Sequence, residues 1–232
     1  MIIDVFTFTY NEELMVKMFL DHYSPIARKV KIFDNQSTDK TVEVAKGYKN
    51  VEVVEWNTGG MYNNRALTEK KNTCWRGSDA DWVVVCDCDE FVLGLDKLDK
   101  VNKQVIEVVG YDVVSEEFPS SLGEMLSLPR VRESYKKQLV FKPTLNITFK
   151  TGHHRGSNIS DVDFGSLEMI HTKLVGADRY DKKLEEYKDR MGKWFKHEKD
   201  KKIKSETPSY HKEKARGRDV VLTNLRMYGK RK

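Results

Sequence analysis

The chain has 232 residues, about one and a half times a typical domain, so we expect one compact domain with an added arm or tail. Its 39% hydrophobic and 10% aromatic residues exclude wholesale disorder, and it lacks the long apolar run of a transmembrane span. Lysine and arginine (41) exceed aspartate and glutamate (36) by a net charge of +5, which favours anionic ligands but falls short of a nucleic-acid-binding signature.

The first hundred residues alternate β-rich runs with helical patterns. Apolar residues recur at helical spacing after the first strand, and residues 35–39 supply turn and N-cap side chains before the second helix. Such alternation predicts a parallel sheet with right-handed crossovers, in an α/β fold of nucleotide-binding type. Predicted strands are 2–8, 30–34, 51–56 and 80–87, and predicted helices are 14–22, 42–48 and 61–75.

The second half has a weaker pattern. It predicts a helix over 96–109, a strand over 111–118, one or two strands within 138–150 and an amphipathic helix over 184–195. Residues 196–218 are rich in lysine, arginine and glutamate and are predicted to form a solvated helix or arm. We therefore predict a domain over 1–195, divided at about residue 95, and a basic arm over 196–232.

Polar residues follow three of the predicted strands. They are Tyr10, Asn11, Glu12 and Glu13 after the first, Asp34 and Asn35 after the second, and Asp87, Asp89 and Glu90 after the fourth. In an open parallel sheet, ligands bind outside the carboxyl ends of the strands. These side chains are therefore predicted to line one polar pocket.

The strongest local feature is the segment CDCDEF at residues 86–91. If the chain stays extended there, Asp87 and Asp89 point to the same face, and Cys86 and Cys88 point to the other. Two adjacent carboxylates repel unless a cation lies between them, and oxygen ligands favour Mg²⁺ or Mn²⁺ over zinc. The alternative is a pair of acids at an exposed turn, and we interpret the cysteines as small buried hydrophobic residues.

The segments FTYNEE (8–13), FDNQSTDKT (33–41) and DADWVVVCDCDEF (79–91) resemble, in order and approximate spacing, motifs of the family-2 type of nucleotide-sugar glycosyltransferases with the GT-A fold. The resemblance implies a single Rossmann-like, mostly parallel sheet flanked by helices, with a helical arm at the C-terminus. It also implies that 1–95 binds the nucleotide sugar and 96–195 the acceptor. No GxGxxG or GxxxxGK pattern occurs, which argues against a dinucleotide oxidoreductase or a P-loop kinase.

The same resemblance implies roles for individual residues. Asp87, Asp89 and His171 would hold Mn²⁺ or Mg²⁺ on the donor diphosphate, with Glu90 acting through water or another ligand. His153, His154, Arg155 and Lys173 would contact the acceptor or phosphate, although Thr172 replaces the aromatic residue usual after the histidine. The implied donor-nucleotide contacts are Thr9, Tyr10, Asn11, Glu12, Asp34, Asn35, Arg65, Lys71, Asn72, Asp87 and Cys88.

Inversion at the anomeric carbon needs a carboxylate that takes the proton of the acceptor hydroxyl. Asp163 and Asp161 are the first candidates, and Glu168, Glu116 and Glu117 compete with them; retaining stereochemistry is the alternative if none is suitably placed. The predicted function is metal-dependent transfer of a hexose-type sugar, from a UDP-sugar in the leading case, to a saccharide or glycoprotein.

Two other functions are considered from the sequence. A nucleotidyltransferase acting on sugar phosphates would also use paired acids and a divalent ion, but FTYNEE is not its Gly-rich, basic loop. A basic module could bind nucleic acid or an anionic membrane through 196–218, but acids interleave with the lysines there. We expect no nucleic-acid partner and keep peripheral membrane contact open. Three cysteines and a start without signal-peptide features favour a soluble, cytoplasmic protein.

Overall fold

The computed structural model describes residues 1–151, 155–157 and 159–200, with side chains described except at 132–134 and 194–200. Within these residues, eight strands form one sheet in the order β3-β2-β1-β4-β7-β6-β8-β5. The strands are β1 (Ile3–Thr9), β2 (Lys29–Asp34), β3 (Val51–Glu55), β4 (Trp82–Val85), β5 (Glu90–Leu93), β6 (Val105–Ser115), β7 (Arg130–Phe141) and β8 (Val162–Val175).

The helices follow the alternation expected for an α/β protein. A 3-10 helix, Leu95–Lys100, follows β5. The α-helices are α1 (Glu13–Tyr23), α2 (Thr41–Lys46), α3 (Asn64–Lys71), α4 (Leu122–Ser127) and α5 (Ala177–Asp200). The α/β class is confirmed, as are the four predicted strands and three predicted helices of the first hundred residues, with shorter bounds for several of them.

The sheet is parallel in its first part and mixed beyond it. β1 pairs in parallel with β2 and β4, and β2 pairs in parallel with β3. β7 pairs antiparallel with β4, and β5 pairs antiparallel with β8. The expectation of a mostly parallel sheet therefore holds for the strands before residue 86, while β7 runs antiparallel to β4 and β5 runs antiparallel to β8.

The predicted helix over 96–109 is wrong in its second half. Only the 3-10 turn after Gly94 is helical, and β6 begins at Val105. Val105, Ile106 and Val108 are fully buried, and since successive side chains of a strand alternate between its two faces, both faces are covered here. In a run of β-branched residues that is apolar on both faces, polar and apolar residues do not alternate. The sequence therefore does not distinguish such a strand from a buried helix.

Contacts divide the chain into two compact units. Among the described residues, the first comprises those within 1–57, 64–111 and 133–171, and the second comprises 58–63, 112–132 and 172–200. The first unit contains a core of nine buried residues, to which Phe6, Trp75, Val83 and Phe141 contribute. The second unit has a smaller core formed by Val114, Leu174, Ala177 and Tyr180. The predicted helix over 184–195 lies within α5, and the part of the predicted arm after residue 200 lies outside the described residues.

Helix α1 begins directly after the first polar loop because its apolar residues recur on one face. Met15, Val16, Phe19 and Tyr23 are fully buried, at the spacing that places helical side chains against a sheet. Burial of one such side chain stabilises the fold by about 1.5–3 kcal/mol. Packing of this helix fixes the polar loop that precedes it.

Candidate functional site

Three polar loops meet at the carboxyl ends of parallel strands in the first unit. Thr9, at the end of β1, is the register partner of Asp34, at the end of β2. On the other side of β1, Phe6 is the partner of Val85, the last residue of β4. The loops after these three strands therefore share one edge of the sheet, as predicted from the sequence.

The first part of this edge is centred on Asp34, whose carboxylate is buried. Its Oδ1 accepts hydrogen bonds from the Thr9 hydroxyl (3.0 Å) and the Ser37 hydroxyl (2.5 Å). Its Oδ2 accepts a bond from the backbone N–H of Ser37 at 2.9 Å. Three neutral donors thus hold this carboxylate in one orientation.

Asn11 extends these bonds to the loop after β1. Its Oδ1 accepts the backbone N–H of Thr38 at 2.7 Å, and its own N–H donates to the Ser37 hydroxyl at 2.9 Å. Asn11 has a φ of 51°, in the left-handed region that asparagine tolerates better than most residues. We call Thr9, Asn11, Asp34, Ser37 and Thr38 the Asp34 network.

The second part of the edge is the acid turn, residues 87–90. Here the chain is not extended, as the sequence-based interpretation assumed, but turns at residues 88–89 before β5 begins. The N–H of Glu90 donates to the carbonyl of Asp87 at 3.1 Å, and the N–H of Asp87 donates to Glu90 Oε2 at 3.0 Å. Burial still alternates, because Cys86 and Cys88 are buried whereas Asp87 and Asp89 are half-buried.

Two buried lysines contact the acid turn. The Nζ of Lys71, at the end of α3, lies 2.6 Å from Asp87 Oδ1. The Nζ of Lys137, in β7, binds Glu90 Oε1 and lies 3.8 Å from Asp87 Oδ2. Burial alone would lower the pKa of Lys137, but the nearby carboxylates, Glu90 first, outweigh it and raise that pKa above its usual value. Lys137 is therefore a permanent cation beside the acid turn.

Glu90 is fully buried and has partners at both oxygens. Besides the Lys137 ammonium and the Asp87 N–H, it accepts the Tyr135 hydroxyl at 3.4 Å. The sequence did not identify Lys137 or Tyr135 as functional residues. In the sequence, Lys137 directly precedes the segment QLVF. This position indicates burial of the lysine only if β7 is known to be a central strand.

His171 reaches the acid turn through the pairing of β5 with β8. It is the register partner of Glu90, and its Nε2 lies 3.7 Å from Asp89 Oδ2. The ring is almost buried and makes an edge contact with Tyr135, with 5.2 Å between ring centroids. Of the three residues expected to hold a metal, Asp87 and Asp89 therefore lie on one turn, and His171 lies beside Asp89 on an adjacent strand.

Some of the side-chain atoms of Asp87, Asp89 and His171 are suited to binding a divalent cation. Asp89 and His171 offer an oxygen and a nitrogen near each other, which Mn²⁺ accepts as ligands. Asp87 is instead paired with Lys71. Among the residues that the structure describes, no group of three or more His, Cys, Asp or Glu side chains is arranged to hold a metal ion. A metal here needs further ligands from the substrate or water.

Other predicted donor contacts lie on the same edge or near it. Asn35 is buried and its N–H donates to the carbonyl of Thr9 at 2.8 Å, while the N–H of Glu12 donates to the Thr41 hydroxyl at 2.7 Å. Tyr10, between Thr9 and Asn11, is half-buried, and Cys88 is buried within the acid turn. Their contacts with a nucleotide stay predictions.

Two predicted residues of the third helical segment have structural partners. The side-chain amide of Asn72 donates to the carbonyl of Phe149 at 2.9 Å and accepts the N–H of Phe149 at 2.7 Å. These two bonds hold the segment after β7 against this helical segment. Arg65 is exposed and pairs with Glu69 at 2.9 Å, one helical turn along α3. Their role in donor binding stays a prediction.

The predicted acceptor-side residues are more dispersed. Asp161 pairs with Lys103 at 2.9 Å, and Asp163 accepts the N–H of Ser166 at 3.1 Å. Arg155 is exposed, with its Nε 4.0 Å from Glu107, and Lys173 belongs to the second unit. His153 and His154 lie outside the described residues. The catalytic base therefore stays a prediction.

The fold and the site together define an α/β protein with a polar site at the carboxyl ends of its parallel strands. A family model described as glycosyl transferase family 2 matches residues 4–162. Because this match spans more than half of the sequence, the chain belongs to glycosyl transferase family 2. The resemblance noted from the three motifs is thereby confirmed.

The match to one solved structure, that of S. aureus TarS 1–349, supports the expected GT-A type of fold. S. aureus TarS 1–349 matches with a TM-score of 0.50 and 17% identity, over 78% of this chain and 62% of that chain. Glucosyl-3-phosphoglycerate synthase from Mycobacterium tuberculosis, in complex with Mn²⁺, uridine diphosphate and glucosyl-3-phosphoglycerate, matches with a TM-score of 0.33 and 20% identity, over 48% of this chain and 44% of that one.

Mannosyl-3-phosphoglycerate synthase from Rubrobacter xylanophilus matches with a TM-score of 0.36 and 15% identity, over 48% of this chain and 40% of that one. The chain therefore spans less than two thirds of the length of each of these proteins. A comparison with curated protein sequences found no significant match. In the part of the chain that the structure describes, no helix combines the length and apolar character needed to cross a membrane.

Proposed function

We propose that this protein transfers a sugar from a nucleotide-sugar donor, a UDP-sugar in the first instance, to a hydroxyl of a saccharide or glycoprotein acceptor. The observation that carries the proposal is the shared edge of the sheet, where the Asp34 network and the acid turn lie in a family-2 chain. The Asp34 network offers one carboxylate held by neutral donors, and the acid turn offers several carboxylates paired with lysine ammonium groups. A nucleotide sugar is divided in a comparable way, between the hydroxyl and N–H donors of its ribose and base and the charged diphosphate.

The Asp34 network is assigned to the base and ribose. Its carboxylate accepts hydrogen bonds from Thr9 and Ser37, and these orient it before any ligand binds. A buried acceptor held in this way selects for ligand donors such as a ribose hydroxyl or an N–H of the base. Tyr10 and Asn11 would border the same ligand.

The acid turn and His171 are assigned to Mn²⁺ or Mg²⁺ on the donor diphosphate. Asp89, His171 and Asp87 would hold the ion, with phosphate oxygens and water as further ligands. When bound, such an ion neutralises the negative charge that develops on the departing nucleoside diphosphate. Lys137 adds a fixed positive charge that Glu90 and Asp87 hold near the same position.

The acceptor hydroxyl must lose its proton as its oxygen attacks the anomeric carbon. We propose Asp163 or Asp161 as the base that takes this proton, with inversion of the anomeric centre. The new carbon–oxygen bond forms as the bond to the diphosphate oxygen breaks, and that oxygen leaves with the electron pair. Loss of activity in Asp163→Asn or Asp161→Asn, with donor binding retained, identifies the base.

A donor screen tests the proposal. The purified protein is mixed with Mn²⁺ or Mg²⁺ and a panel of UDP-, GDP- and CMP-sugars, and thermal shift and slow donor hydrolysis are measured. We expect a metal-dependent stabilisation by one class of donor, since a ligand that binds only the folded state raises its melting temperature. Release of pyrophosphate from a nucleoside triphosphate and a sugar phosphate would instead indicate a nucleotidyltransferase.

Two variants make the screen specific for the acid turn. Asp89→Ala removes a proposed metal ligand that is half-buried and is expected to abolish metal-dependent donor binding while the fold is kept. Asp99→Asn, an exposed acid of the 3-10 helix, is the matched control and should behave as the unmodified protein. Full donor affinity in Asp89→Ala would contradict the metal role.

A further inference from the structure

Asp87 already has a cation at its carboxylate. The Lys71 ammonium lies 2.6 Å from Oδ1, and the Lys71 side chain is only 7% exposed. Asp87 is one of the residues that the proposed function assigns to the divalent ion. A carboxylate whose charge is already neutralised by a close, largely buried ion pair attracts a second cation less strongly.

The two lysines of the acid turn are held differently. Lys137 binds the fully buried Glu90, lies near Asp87 and is close to the Tyr135 ring, with its Nζ 4.8 Å from the ring centroid. Removing it from these partners would leave Glu90 as an uncompensated buried charge. Lys71 pairs with the half-exposed Asp87, and in the same position its Nζ lies 5.8 Å from the centroid of the Phe8 ring.

The charges of the acid turn and its two lysines indicate which ammonium group leaves its carboxylate when a divalent cation binds. Asp87, Asp89 and Glu90 carry three negative charges, and Lys71 and Lys137 carry two positive ones, so one negative charge remains. A divalent ion added to this group would make it positive, and repulsion would fall mainly on the cation that shares its ligand. That cation is Lys71, because Lys137 is bound to Glu90.

We propose that Lys71 is a positioning residue that competes with the divalent cation for Asp87. In the metal-free protein its ammonium neutralises Asp87, and in the loaded protein it pairs with the donor diphosphate. The inference rests on the proposed function for the identity of the anion. Binding of the nucleotide diphosphate thus moves the Lys71 ammonium from Asp87 to the phosphates. Asp87 can then bind the metal ion.

The test measures Mn²⁺ binding without nucleotide, by electron paramagnetic resonance of the free ion. Lys71→Met keeps the length of the side chain and removes its charge. Because Mn²⁺ then displaces no ion pair, we expect Mn²⁺ to bind about fivefold more tightly than to the unmodified protein. In the same variant, UDP measured with saturating Mn²⁺ should bind at least fivefold more weakly, since its phosphate loses a cation.

Two further variants separate this competition from a general change in charge. Lys70→Met removes a charge from the preceding residue of α3, whose ammonium lies over the Phe33 ring at 4.5 Å, and should leave Mn²⁺ affinity within twofold. Lys71→Arg keeps the charge and should not tighten Mn²⁺ binding. Lys71→Gln serves if Lys71→Met does not fold, and it must shift Mn²⁺ affinity in the same direction.

The outcomes distinguish the inference from the proposed function. If the unmodified protein binds Mn²⁺ and UDP but neither Lys71→Met nor Lys71→Gln binds Mn²⁺ more tightly, the inference is overturned and the proposed function is kept. Equal tightening in Lys70→Met and Lys71→Met also overturns it, because charge alone would explain the result. Absence of Mn²⁺ binding in every protein overturns the inference together with the metal role.

Discussion

The two parts of the candidate site differ in how they are held together. The Asp34 network is held by hydrogen bonds from neutral donors on two neighbouring loops. Water can take the place of each of these donors. The acid turn uses ion pairs with residues of α3 and β7 and a contact with β8, and several of these side chains are nearly buried. We therefore expect the loss of a single neutral donor in the Asp34 network to cost less stability than the loss of a charged partner in the acid turn.

Loss of Lys137 should produce the largest change in stability. Lys137→Met leaves Glu90 buried without its cation, and we expect the free energy of unfolding to fall by about 3–5 kcal/mol. Urea denaturation followed by circular dichroism measures it. The double variant Lys137→Met/Glu90→Gln should recover more than half of the loss, because no uncompensated charge is left.

A matched control for this variant is Lys142→Met. The Lys142 ammonium lies over the Trp82 ring at 5.2 Å and is not part of the acid turn, so its removal should cost less than about 1 kcal/mol. Simple additivity of the Lys137 and Glu90 substitutions would contradict the coupling between these two residues.

Replacement of Asp34 should cause the next largest loss of stability. Asp34→Ala removes the acceptor of three hydrogen bonds, and we expect the free energy of unfolding to fall by about 2–4 kcal/mol. Asp34→Asn keeps one carboxyl-derived oxygen and should lose about half as much. Nucleotide binding by calorimetry should disappear in Asp34→Ala, and retained affinity there would contradict its assignment to the base and ribose.

A smaller effect is expected within the same network from Ser37→Ala. It removes one donor to Asp34 and the acceptor of the Asn11 N–H, and leaves the backbone bond from Ser37 to Asp34. We expect a loss of about 1–2 kcal/mol in urea denaturation. A loss as large as that of Asp34→Ala would show that the network acts as one unit and would weaken the contrast with the acid turn.

The smallest effect concerns pH and His22, on the helix between the two parts. Its Nε2 lies 2.9 Å from the carbonyl of Val92, and burial lowers its pKa below 6.5, although that hydrogen bond opposes the shift. The unfolded chain therefore binds the proton more readily, so stability is lost as the pH falls below about 6.5 and through the folded pKa. The loss of melting temperature between pH 7.5 and 5.5 should be smaller in His22→Gln. An unchanged difference would exclude His22 as a cause.

The first ninety residues were predictable because their signals are local. Strands and helices alternate there, and polar residues follow three of the strands at the point where each ends. Asp34, Asn11 and the acids of the turn were found in this way, as was His171 from the family resemblance. Ser37 and Thr38 were predicted only as turn residues, since their bonds to Asp34 and Asn11 depend on how the two loops meet.

The rest was not predictable because it depends on pairing between distant strands. The turn at residues 88–89 replaced the expected extended chain, since β5 leaves β4 and pairs with β8. Lys137 lies in β7, which begins at Arg130, whereas the sequence predicted strand structure only within 138–150. Only the sheet order, with β7 beside β4, makes it a buried partner of Glu90.

Helix α1 joins the two parts of the edge directly. It starts at Glu13, next to the loop of Asn11, and ends at Tyr23, whose hydroxyl donates to the carbonyl of Glu90 at 2.9 Å and accepts the N–H of Val92 at 2.8 Å. Eleven helical residues span about 16 Å and resist stretching. The helix therefore limits how far the Asn11 loop and the backbone of the acid turn can move relative to one another.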